Sequence, residues 1–304
     1  MLTYDRYLTP ASLEDAFDAL ERIPGARIVA GATDLLPWAR QGRAGDVHLP
    51  ALLDVTRIPQ LNGVALQDGR LHLGAATPIA AFQNDELLQR QAPVLGCCAV
   101  WFADEQIREQ ATVGGNLVNA SPAGDSQPAL LAMNAAVTLA RREGGQVAMR
   151  SLPLARFILG PGQTALQPGE ILVDVAIDAV PGHGAAFEKV GHRRSLVIST
   201  VCLAALVKLD WARRRIEDAR IAIGAVAPVP QRLPDVERVL QGQAPASELV
   251  RHAAGLVADR VASRSRQEYR REVLVNFVER ALVAALGHAG VQVPRLPKEE
   301  PVHA

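Results

Sequence analysis

The strongest constraint on the fold of this chain is the segment ATVGGNLVNASPAGDS at residues 111–126. It places the pair Gly114-Gly115 among small residues, amides and hydroxyls, and it leads into an apolar stretch that begins at Pro128. Adjacent glycines allow positive φ angles and a close approach of the backbone to a ligand, while amides and hydroxyls can donate hydrogen bonds to phosphate oxygens. The segment therefore predicts a loop that cradles a dinucleotide.

A second loop of the same chemical kind lies upstream. The β-rich run Arg27–Ala30 passes through Gly31, Ala32, Thr33 and Asp34 into an apolar pair, Leu35-Leu36. A strand that turns through small residues into a helix directs several backbone N–H groups outward, which suits a pyrophosphate. The two loops together predict one bound dinucleotide, although glycines at such positions also form tight turns without any ligand.

Composition narrows the class of protein. The chain has 304 residues, of which 49% are hydrophobic, and its 32 Lys and Arg balance its 32 Asp and Glu, so no net field favours nucleic acid or an anionic membrane. Cys97, Cys98 and Cys202 are too few for a disulfide framework and lack the spacing of a metal site, which fits a reducing cytoplasm. Neither a signal peptide nor a membrane span is recognisable.

Hydrophobic periodicity predicts an α+β protein of three units and a tail. Residues 1–56 read as a βαβ-like lobe with a helix over Ser12–Leu20, capped by Ser12 with Asp15, and strands at Arg27–Ala30 and His48–Val55. Residues 57–178 read as an α+β lobe. Its predicted elements are a hairpin with an Asp68-Gly69 turn (Val64–Gln67, Arg70–Leu73), helices at Pro78–Gln89, Pro93–Phe102 and from Asp125, and strands at Val137–Ala140, Gln146–Met149 and Ile171–Ile177.

The third unit, residues 179–290, begins after a turn-rich connection. It predicts a three-stranded meander (Ala185–Val190, Val201–Leu209, Ile216–Ile223) followed by helices (Asp235–Gln241, Ala246–Val261, Gln267–His288). The last helix carries apolar residues at helical spacing that we expect to pack in a core: Val273, Leu274, Phe277, Val278, Ala281, Leu282, Ala285 and Leu286. Residues 291–304, rich in proline and charge, predict a flexible tail.

Three groups of residues, met in this order, carry a family resemblance. They are AGATDL at 30–35, TVGGN and ASPxxDS within 112–126, and FEKVGxRR followed by IS at 187–199. The chain resembles the FAD-binding medium subunit of the molybdenum hydroxylases, the xanthine dehydrogenase and carbon monoxide dehydrogenase flavoprotein family, over about residues 1 to 288. The resemblance implies a two-lobed FAD domain of the vanillyl-alcohol-oxidase (PCMH) type and a C-terminal domain with a three-stranded sheet and a helical bundle.

The same resemblance implies a set of FAD contacts. Residues 29–36, together with Thr112, Gly114, Gly115 and Asn116, would wrap the pyrophosphate through backbone N–H groups. Asp125 would accept hydrogen bonds from ribityl or ribose hydroxyls, Lys189 would lie at the isoalloxazine carbonyl edge, and the rings would meet the remaining side chains. The complete set is Val29, Ala30, Gly31, Ala32, Thr33, Asp34, Leu35, Leu36, Phe102, Thr112, Gly114, Gly115, Asn116, Ser121, Asp125, Leu172, Lys189 and Ile198.

Several of these residues also have structural interpretations from the sequence alone. Asp125 could serve as the N-cap of the helix that follows it, Phe102 could belong to the core, and Lys189 could be a solvated strand lysine. Two positions depart from the family pattern. Ala32 replaces a glycine, which is tolerable only if its φ is negative. Leu196 replaces an acidic residue of the NAD-using animal enzymes, which leaves the acceptor open.

The family role implied is electron transfer within a dimer of heterotrimers. A large molybdopterin-binding subunit hydroxylates the substrate with water, a small subunit with two 2Fe-2S clusters relays the electrons, and this chain passes them to an external acceptor. No catalytic residue and no metal ligand are expected in the chain itself, and it lacks a cysteine-rich insertion for a further iron–sulfur cluster. The alternative is a scaffold or assembly protein of the same fold that has lost its flavin through changes such as Ala32.

Overall fold

The computed structural model describes residues 1–41, 47–193, 197–263 and 265–295. The prediction concerning Leu196, and most of the tail, lie outside the described residues. The first lobe contains, in chain order, β1 (Leu2–Tyr4), β2 (Tyr7–Leu8), α1 (Leu13–Arg22), β3 (Arg27–Val29), α2 (Leu35–Arg40), β4 (Val47–Leu49) and β5 (Leu52–Asp54). All strand pairs here are parallel, with β1 beside β4 and a second sheet in the order β2-β5-β3.

Of two sequence predictions for this lobe, one is confirmed and the other is wrong. The predicted cap of α1 is present, because the Ser12 Oγ accepts a hydrogen bond of 3.0 Å from the backbone N–H of Asp15. The prediction of a single strand at His48–Val55 is wrong. It is interrupted at Pro50, which has no N–H to donate to a sheet, and the two pieces β4 and β5 enter different sheets.

The second lobe contains, in chain order, β6 (Val64–Gln67), β7 (Arg70–Gly74), α3 (Ala81–Asn84), α4 (Glu86–Gln91), α5 (Pro93–Ala99), α6 (Glu105–Gln110), α7 (Val113–Asn119), α8 (Ser126–Ala132), β8 (Ala136–Glu143), β9 (Gln146–Pro153), α9 (Leu154–Phe157), β10 (Ile158–Gly160), β11 (Gln163–Thr164) and β12 (Ile171–Asp178). It is built around a five-stranded antiparallel sheet in the order β6-β7-β12-β8-β9. Asp68 and Gly69 have φ angles of 51° and 77°, as a two-residue hairpin turn requires, so the predicted hairpin is confirmed.

The glycine pair of the second motif lies in a helix, which corrects the prediction of a loop. Helix α7 begins after Thr112, whose Oγ1 accepts a 3.0 Å hydrogen bond from the N–H of Gly115. A Cβ on Gly114 would lie 2.7 Å from the carbonyl oxygen of Ala75, so only glycine lets the helix rest on the end of β7. The helix stops at Ala120, which takes a left-handed conformation with φ of 45°.

The C-terminal domain joins a sheet to three helices. Its elements are β13 (Gly184–Val190), β14 (Val201–Asp210), β15 (Arg215–Gly224), β16 (Gln231–Arg232), α10 (Pro234–Leu240), α11 (Ser247–Gly255) and α12 (Gln267–His288). The predicted meander β13-β14-β15 is confirmed, with the short β16 added at its edge. The helix predicted at Ala246–Val261 is shorter than expected, since it ends at Gly255 and only a 3₁₀ turn, Ala258–Arg260, follows.

Helix α12 covers one face of this sheet. Six of the eight predicted core residues are buried, while Val273 and Phe277 are partly buried at the margin of the same cluster. A Cβ on Gly184 would lie 1.9 Å from the carbonyl oxygen of Ala285, so the helix packs directly on the β13 backbone. The other face of the sheet contributes Phe187 and Cys202 to the core of the second lobe. This double packing brings β13 and the start of α8 together.

Candidate functional site

The first glycine motif connects the two N-terminal lobes. Leaving β3, the chain passes Gly31, where a Cβ would lie only 1.8 Å from the carbonyl oxygen of Gln110. The loop therefore rests on the backbone just ahead of α7. Three residues later the Asp34 carboxylate accepts a 2.9 Å hydrogen bond from the Asn119 side chain, at the other end of α7. The loop thus runs along the length of this helix.

This loop retains unsatisfied backbone donors. The N–H groups of the five residues from Gly31 to Leu35 donate no hydrogen bond within the described chain. Asp34 stands at the N-cap of α2, yet its side chain makes no capping bond to the helix. Consecutive free N–H groups at a strand-to-helix turn are the donors that a diphosphate uses. The loop can therefore hold a phosphate-containing ligand without a cationic side chain.

The backbone at Ala32 differs from the sequence expectation. Its φ is +52°, in the left-handed region, whereas we expected a negative φ as the condition for accepting alanine there. The conformation is fixed by packing on both sides, because Gly31 abuts Gln110 and the carbonyl of Ala32 accepts the 3.1 Å hydrogen bond from Leu36 N–H that starts α2. Alanine occupies a conformation that glycine adopts at lower cost.

The second motif has already used most of its backbone donors. The N–H of Gly114 donates to the Ala75 carbonyl at 2.8 Å, that of Gly115 to Thr112 Oγ1, and that of Asn116 to the Thr112 carbonyl at 3.0 Å. In this conformation these three N–H groups are paired with Ala75 and Thr112, and the wrapping of a pyrophosphate by Thr112, Gly114, Gly115 and Asn116 stays a prediction.

One side of helix α7 is accessible to solvent. Gly115, Val118 and Asn119 lie at helical spacing on one accessible side, and Asn119 on that side reaches the Asp34 carboxylate. Gly115 has no side chain to cover this side of the helix, and a Cβ added there would lie 2.8 Å from Thr112 Oγ1. The donor loop lies against this helix through the Gly31–Gln110 and Asp34–Asn119 contacts, and we call the loop and this side of α7 the cradle.

A buried charged cluster lies where α8 meets the C-terminal sheet. The Lys189 ammonium on β13 donates to Asp125 Oδ2 at 2.5 Å and to the carbonyl oxygen of Trp101 at 3.0 Å. Ser199 Oγ donates to Asp125 Oδ1 at 2.6 Å. Asp125 is 8% exposed and Lys189 is 5% exposed. The solvated-lysine interpretation of Lys189 is therefore wrong, since the ammonium is enclosed by protein partners.

The alternative role of Asp125 as a helix cap is also wrong. Asp125 precedes α8 with helical φ and ψ, and its side chain makes no capping bond because both carboxylate oxygens face Lys189 and Ser199. Burial raises the pKa of Asp125, while Lys189 and Ser199 act in the opposite direction by favouring the ionised form. Asp125 and Lys189 come from different domains, so this contact ties the two together.

The remaining predicted residues lie in different surroundings. Phe102 and Leu172 are buried in the core of the second lobe, as the core interpretation of Phe102 expected. Ile198, by contrast, is 74% exposed and directly precedes Ser199, which donates to Asp125. Ser121 forms a local turn in which its Oγ accepts a 3.3 Å bond from Ala123 N–H.

Sequence reasoning missed three contributors. Asn119 links the two motifs, Ser199 holds the Asp125 carboxylate, and Trp101 supplies a backbone carbonyl to Lys189. Asn119 and Ser199 stand inside the quoted motifs, so the motifs could have indicated them. Trp101 acts through its backbone carbonyl, which residue type does not indicate. Among the described residues no group of His, Cys, Asp and Glu could hold a metal ion. No helix in the described part of the chain has the length and apolarity needed to cross a membrane.

Comparison with known proteins gives matches over nearly the whole chain. Residues 2–179 match the family described as FAD binding domain in molybdopterin dehydrogenase, and residues 185–285 match the CO dehydrogenase flavoprotein C-terminal domain. The chain is 30% identical over 298 residues to the xanthine dehydrogenase FAD-binding subunit of Escherichia coli O157:H7, covering 95% of this chain and 99% of that one.

Two further matches agree. The carbon monoxide dehydrogenase medium chain of Afipia carboxidovorans is 30% identical, with 93% of this chain and 97% of that chain covered. A crystal structure of the Cu,Mo-CO dehydrogenase superposes with a TM-score of 0.85 at 27% identity, over 94% of this chain and 98% of that one. Between residues 2 and 285 only the short connection 180–184 falls outside the two matched families.

Proposed function

The chain belongs to the family of FAD-binding subunits of molybdopterin dehydrogenases, and from this membership we propose that it receives electrons from an iron–sulfur partner and passes them to an external acceptor. It is a flavoprotein subunit of an oxidoreductase of the xanthine and carbon monoxide dehydrogenase type, with FAD as its cofactor. FAD, when bound, supplies the capacity to accept two electrons and to release them singly or as a pair.

The observation that carries the proposal is the run of free N–H groups from Gly31 to Leu35 beside the surface of α7. Five donors in one loop can compensate the two negative charges of a diphosphate through hydrogen bonds alone. Backbone donors of this kind can hold a dianion in a chain whose cationic and anionic side chains balance at 32 each. The cradle therefore fits FAD, with the pyrophosphate between residues 31–35 and α7.

The other family assignments follow as parts of the same proposal. Lys189 would present its ammonium to the isoalloxazine carbonyl edge, and Ile198 would lie against a face of the ring system. Both stand at the junction of the two matched domains, Lys189 buried and Ile198 exposed. The side chain of Ile198 would exclude water from one ring face, while Lys189 would favour negative charge at the carbonyl edge.

The partners complete the proposal. A large subunit would carry the molybdopterin cofactor and hydroxylate the substrate, a small subunit would carry two 2Fe-2S clusters, and the assembly would be a dimer of heterotrimers. The medium chains that this protein resembles belong to dehydrogenases, which supports a multi-subunit complex. Three free thiols, Cys97, Cys98 and Cys202, are compatible with a cytoplasmic location for it.

The test is to purify this chain with its co-purifying subunits and identify the chromophore released by heat. We expect stoichiometric FAD together with iron–sulfur absorbance. Removing FAD should leave substrate-driven reduction of the iron–sulfur centres intact and stop delivery to the acceptor, because this chain stands last in the proposed sequence. A complex without flavin that also fails to take up added FAD would refute the electron-transfer role and favour the scaffold alternative.

A further inference from the structure

Asp34 places a carboxylate inside the run of free backbone donors. Its own N–H is one of the five, from Gly31 to Leu35, that donate no hydrogen bond within the described chain. The backbone nitrogen and the carboxyl carbon of an aspartate are joined through only two carbon atoms. The Asp34 carboxylate therefore stays within several ångströms of any group that accepts a hydrogen bond from this loop, and a phosphate held there meets a negative charge of the protein.

The partner of this carboxylate is uncharged. Asp34 Oδ2 accepts a 2.9 Å hydrogen bond from the Asn119 amide, and the side chain makes no capping bond to α2. Asp34 is exposed where it meets the accessible side of α7. A ligand that fills the cradle would therefore exclude water from the carboxylate as well as bring its own negative charge to it.

The elements around Asp34 do not compensate its charge. Neither α7 nor β1, which packs on α2, carries a charged residue. The charged residues of the other neighbouring elements are Arg27 of β3, Asp54 of β5, Arg40 of α2, and Glu105, Arg108 and Glu109 of α6. Arg27 and Arg40 stand at the ends of their elements that are remote from the loop, and Arg108 donates to the Phe102 carbonyl at 3.0 Å. Within the described part of the chain, no cation forms an ion pair with Asp34.

Ligand binding changes the electrostatic surroundings of Asp34 in one direction. In the free chain the unpaired N–H groups present positive dipole ends that favour the ionised carboxylate. A bound diphosphate takes up those donors and adds two negative charges. Already in the free chain, the protein around Asp34 removes part of its water, which raises the pKa of the carboxyl. Each of these changes on binding acts to raise it further.

We propose that Asp34 takes up a proton from solvent when FAD enters the cradle, so that the chain holds its flavin more tightly as the pH falls. This rests on the proposed function, because it assumes a diphosphate on the donors of residues 31–35. The protonated carboxyl keeps one oxygen as the acceptor for Asn119 and gains an O–H that can donate to a phosphate oxygen. A repulsion between two anions is thereby replaced by a hydrogen bond.

Titrating the FAD-depleted full chain with FAD between about pH 5 and pH 8 tests this role. Flavin fluorescence gives the dissociation constant, and binding heats in buffers of different ionisation enthalpy count the protons taken up. For the wild type we expect the constant to fall as the pH is lowered, with uptake of about one proton at most. The gain in affinity is complete below the pKa of Asp34 in the free chain and absent above its pKa in the complex.

Asp34→Asn imitates the protonated carboxyl, since an amide is neutral and offers both an acceptor and a donor. At pH 8 it should bind FAD about ten- to thirtyfold more tightly than the wild type, the size of one charge acting on a phosphate at several ångströms in a partly solvated site. Near pH 5 the two dissociation constants should converge, and the variant should take up no proton at either pH.

Two further variants separate the charge from the contact. Asn119→Ala removes the donor that favours ionised Asp34, so the pH at which FAD affinity changes should move upward. Asp85→Asn is the matched control. Asp85 also precedes a helix, where it accepts from the N–H groups of Leu87 and Leu88 at 2.9 and 3.0 Å, and it stands outside the cradle. This variant should keep the wild-type affinity and pH dependence.

The outcomes are distinguishable. Equal pH dependence in the wild type and Asp34→Asn would overturn the inference, because Asp34 would then stay ionised in the complex. Weaker binding by Asp34→Asn at every pH would also overturn it and make the carboxylate a favourable contact. Should Asp34→Asn fail to fold, the direction of the shift in Asn119→Ala still decides. A wild-type chain that binds no FAD at any pH would refute the proposed function, whereas FAD binding without proton uptake refutes only the role of Asp34.

Discussion

Replacing Ala32 by glycine tests whether the first loop carries the strain that its backbone indicates. Alanine at φ of +52° occupies the left-handed region, which costs an L-residue about 1–2 kcal/mol. Glycine removes that cost but gives up about 0.4–1 kcal/mol through the greater freedom of the unfolded chain. The difference predicts that Ala32→Gly raises the free energy of unfolding by about 0.5–1 kcal/mol.

The assay is thermal or urea unfolding of the protein with and without FAD. For a chain of this size, the gain corresponds to a rise of about 1–3 °C in the unfolding midpoint. Ala39→Gly is the matched control: Ala39 is buried inside α2, seven residues later, where glycine should cost about 0.5–1 kcal/mol. The two substitutions should therefore shift the midpoint in opposite directions. A loss of stability in Ala32→Gly equal to that in the control would refute the left-handed conformation.

Three shorter predictions concern other residues. Gly31→Ala should lower the free energy of unfolding by more than about 3 kcal/mol and deplete FAD, because its Cβ would lie 1.8 Å from the Gln110 carbonyl oxygen; unfolding and flavin content measure both. Thr112→Ala should cost about 1 kcal/mol in urea unfolding through the lost cap of α7, and Thr112→Ser should not. The hydrogen bond to the Asp54 carboxylate raises the pKa of Tyr7 from 10.0 to about 12. The contribution of this hydrogen bond to the free energy of unfolding is therefore complete below pH 10 and is lost as the pH rises to about 12. Ultraviolet titration of the phenolate should show this pKa fall back in Asp54→Asn.

Local sequence was sufficient where short-range rules decide the structure. The Asp68-Gly69 turn, the Ser12 cap and the bounds of α12 follow from contacts within a few residues, and each is present as predicted. Interruption of the predicted strand at Pro50 was also readable, because proline lacks the N–H that a continuous strand needs. The error there came from giving hydrophobic alternation more weight than the missing donor.

Long-range contacts decide the features that the sequence could not predict. Two consecutive glycines disfavour a helix by about 1 kcal/mol each, yet Val113–Asn119 is helical. The helix packs so closely on Ala75 that position 114 has no room for a Cβ. The conformation of Ala32 depends on contacts that flank it, and nothing in the sequence specifies its φ. Asp125 and Lys189 are separated by 64 residues, and only the packing of the C-terminal sheet on α8 brings them together. The motifs marked residues that the fold brings together, at contacts that the sequence does not specify.

The glycines of the two motifs therefore serve different ends. Gly31 and Gly114 permit backbone to approach backbone, at Gln110 and Ala75 respectively, and so fix where the loop and α7 lie relative to each other. The N–H groups of Gly31 to Leu35 in the first motif donate no hydrogen bond within the described chain, whereas those of Gly114, Gly115 and Asn116 in the second are paired with Ala75 or Thr112. The second motif ends instead in Asp125, whose carboxylate holds Lys189 of the next domain. One motif thus leaves backbone donors free, and the other ends in a carboxylate that joins the two matched domains.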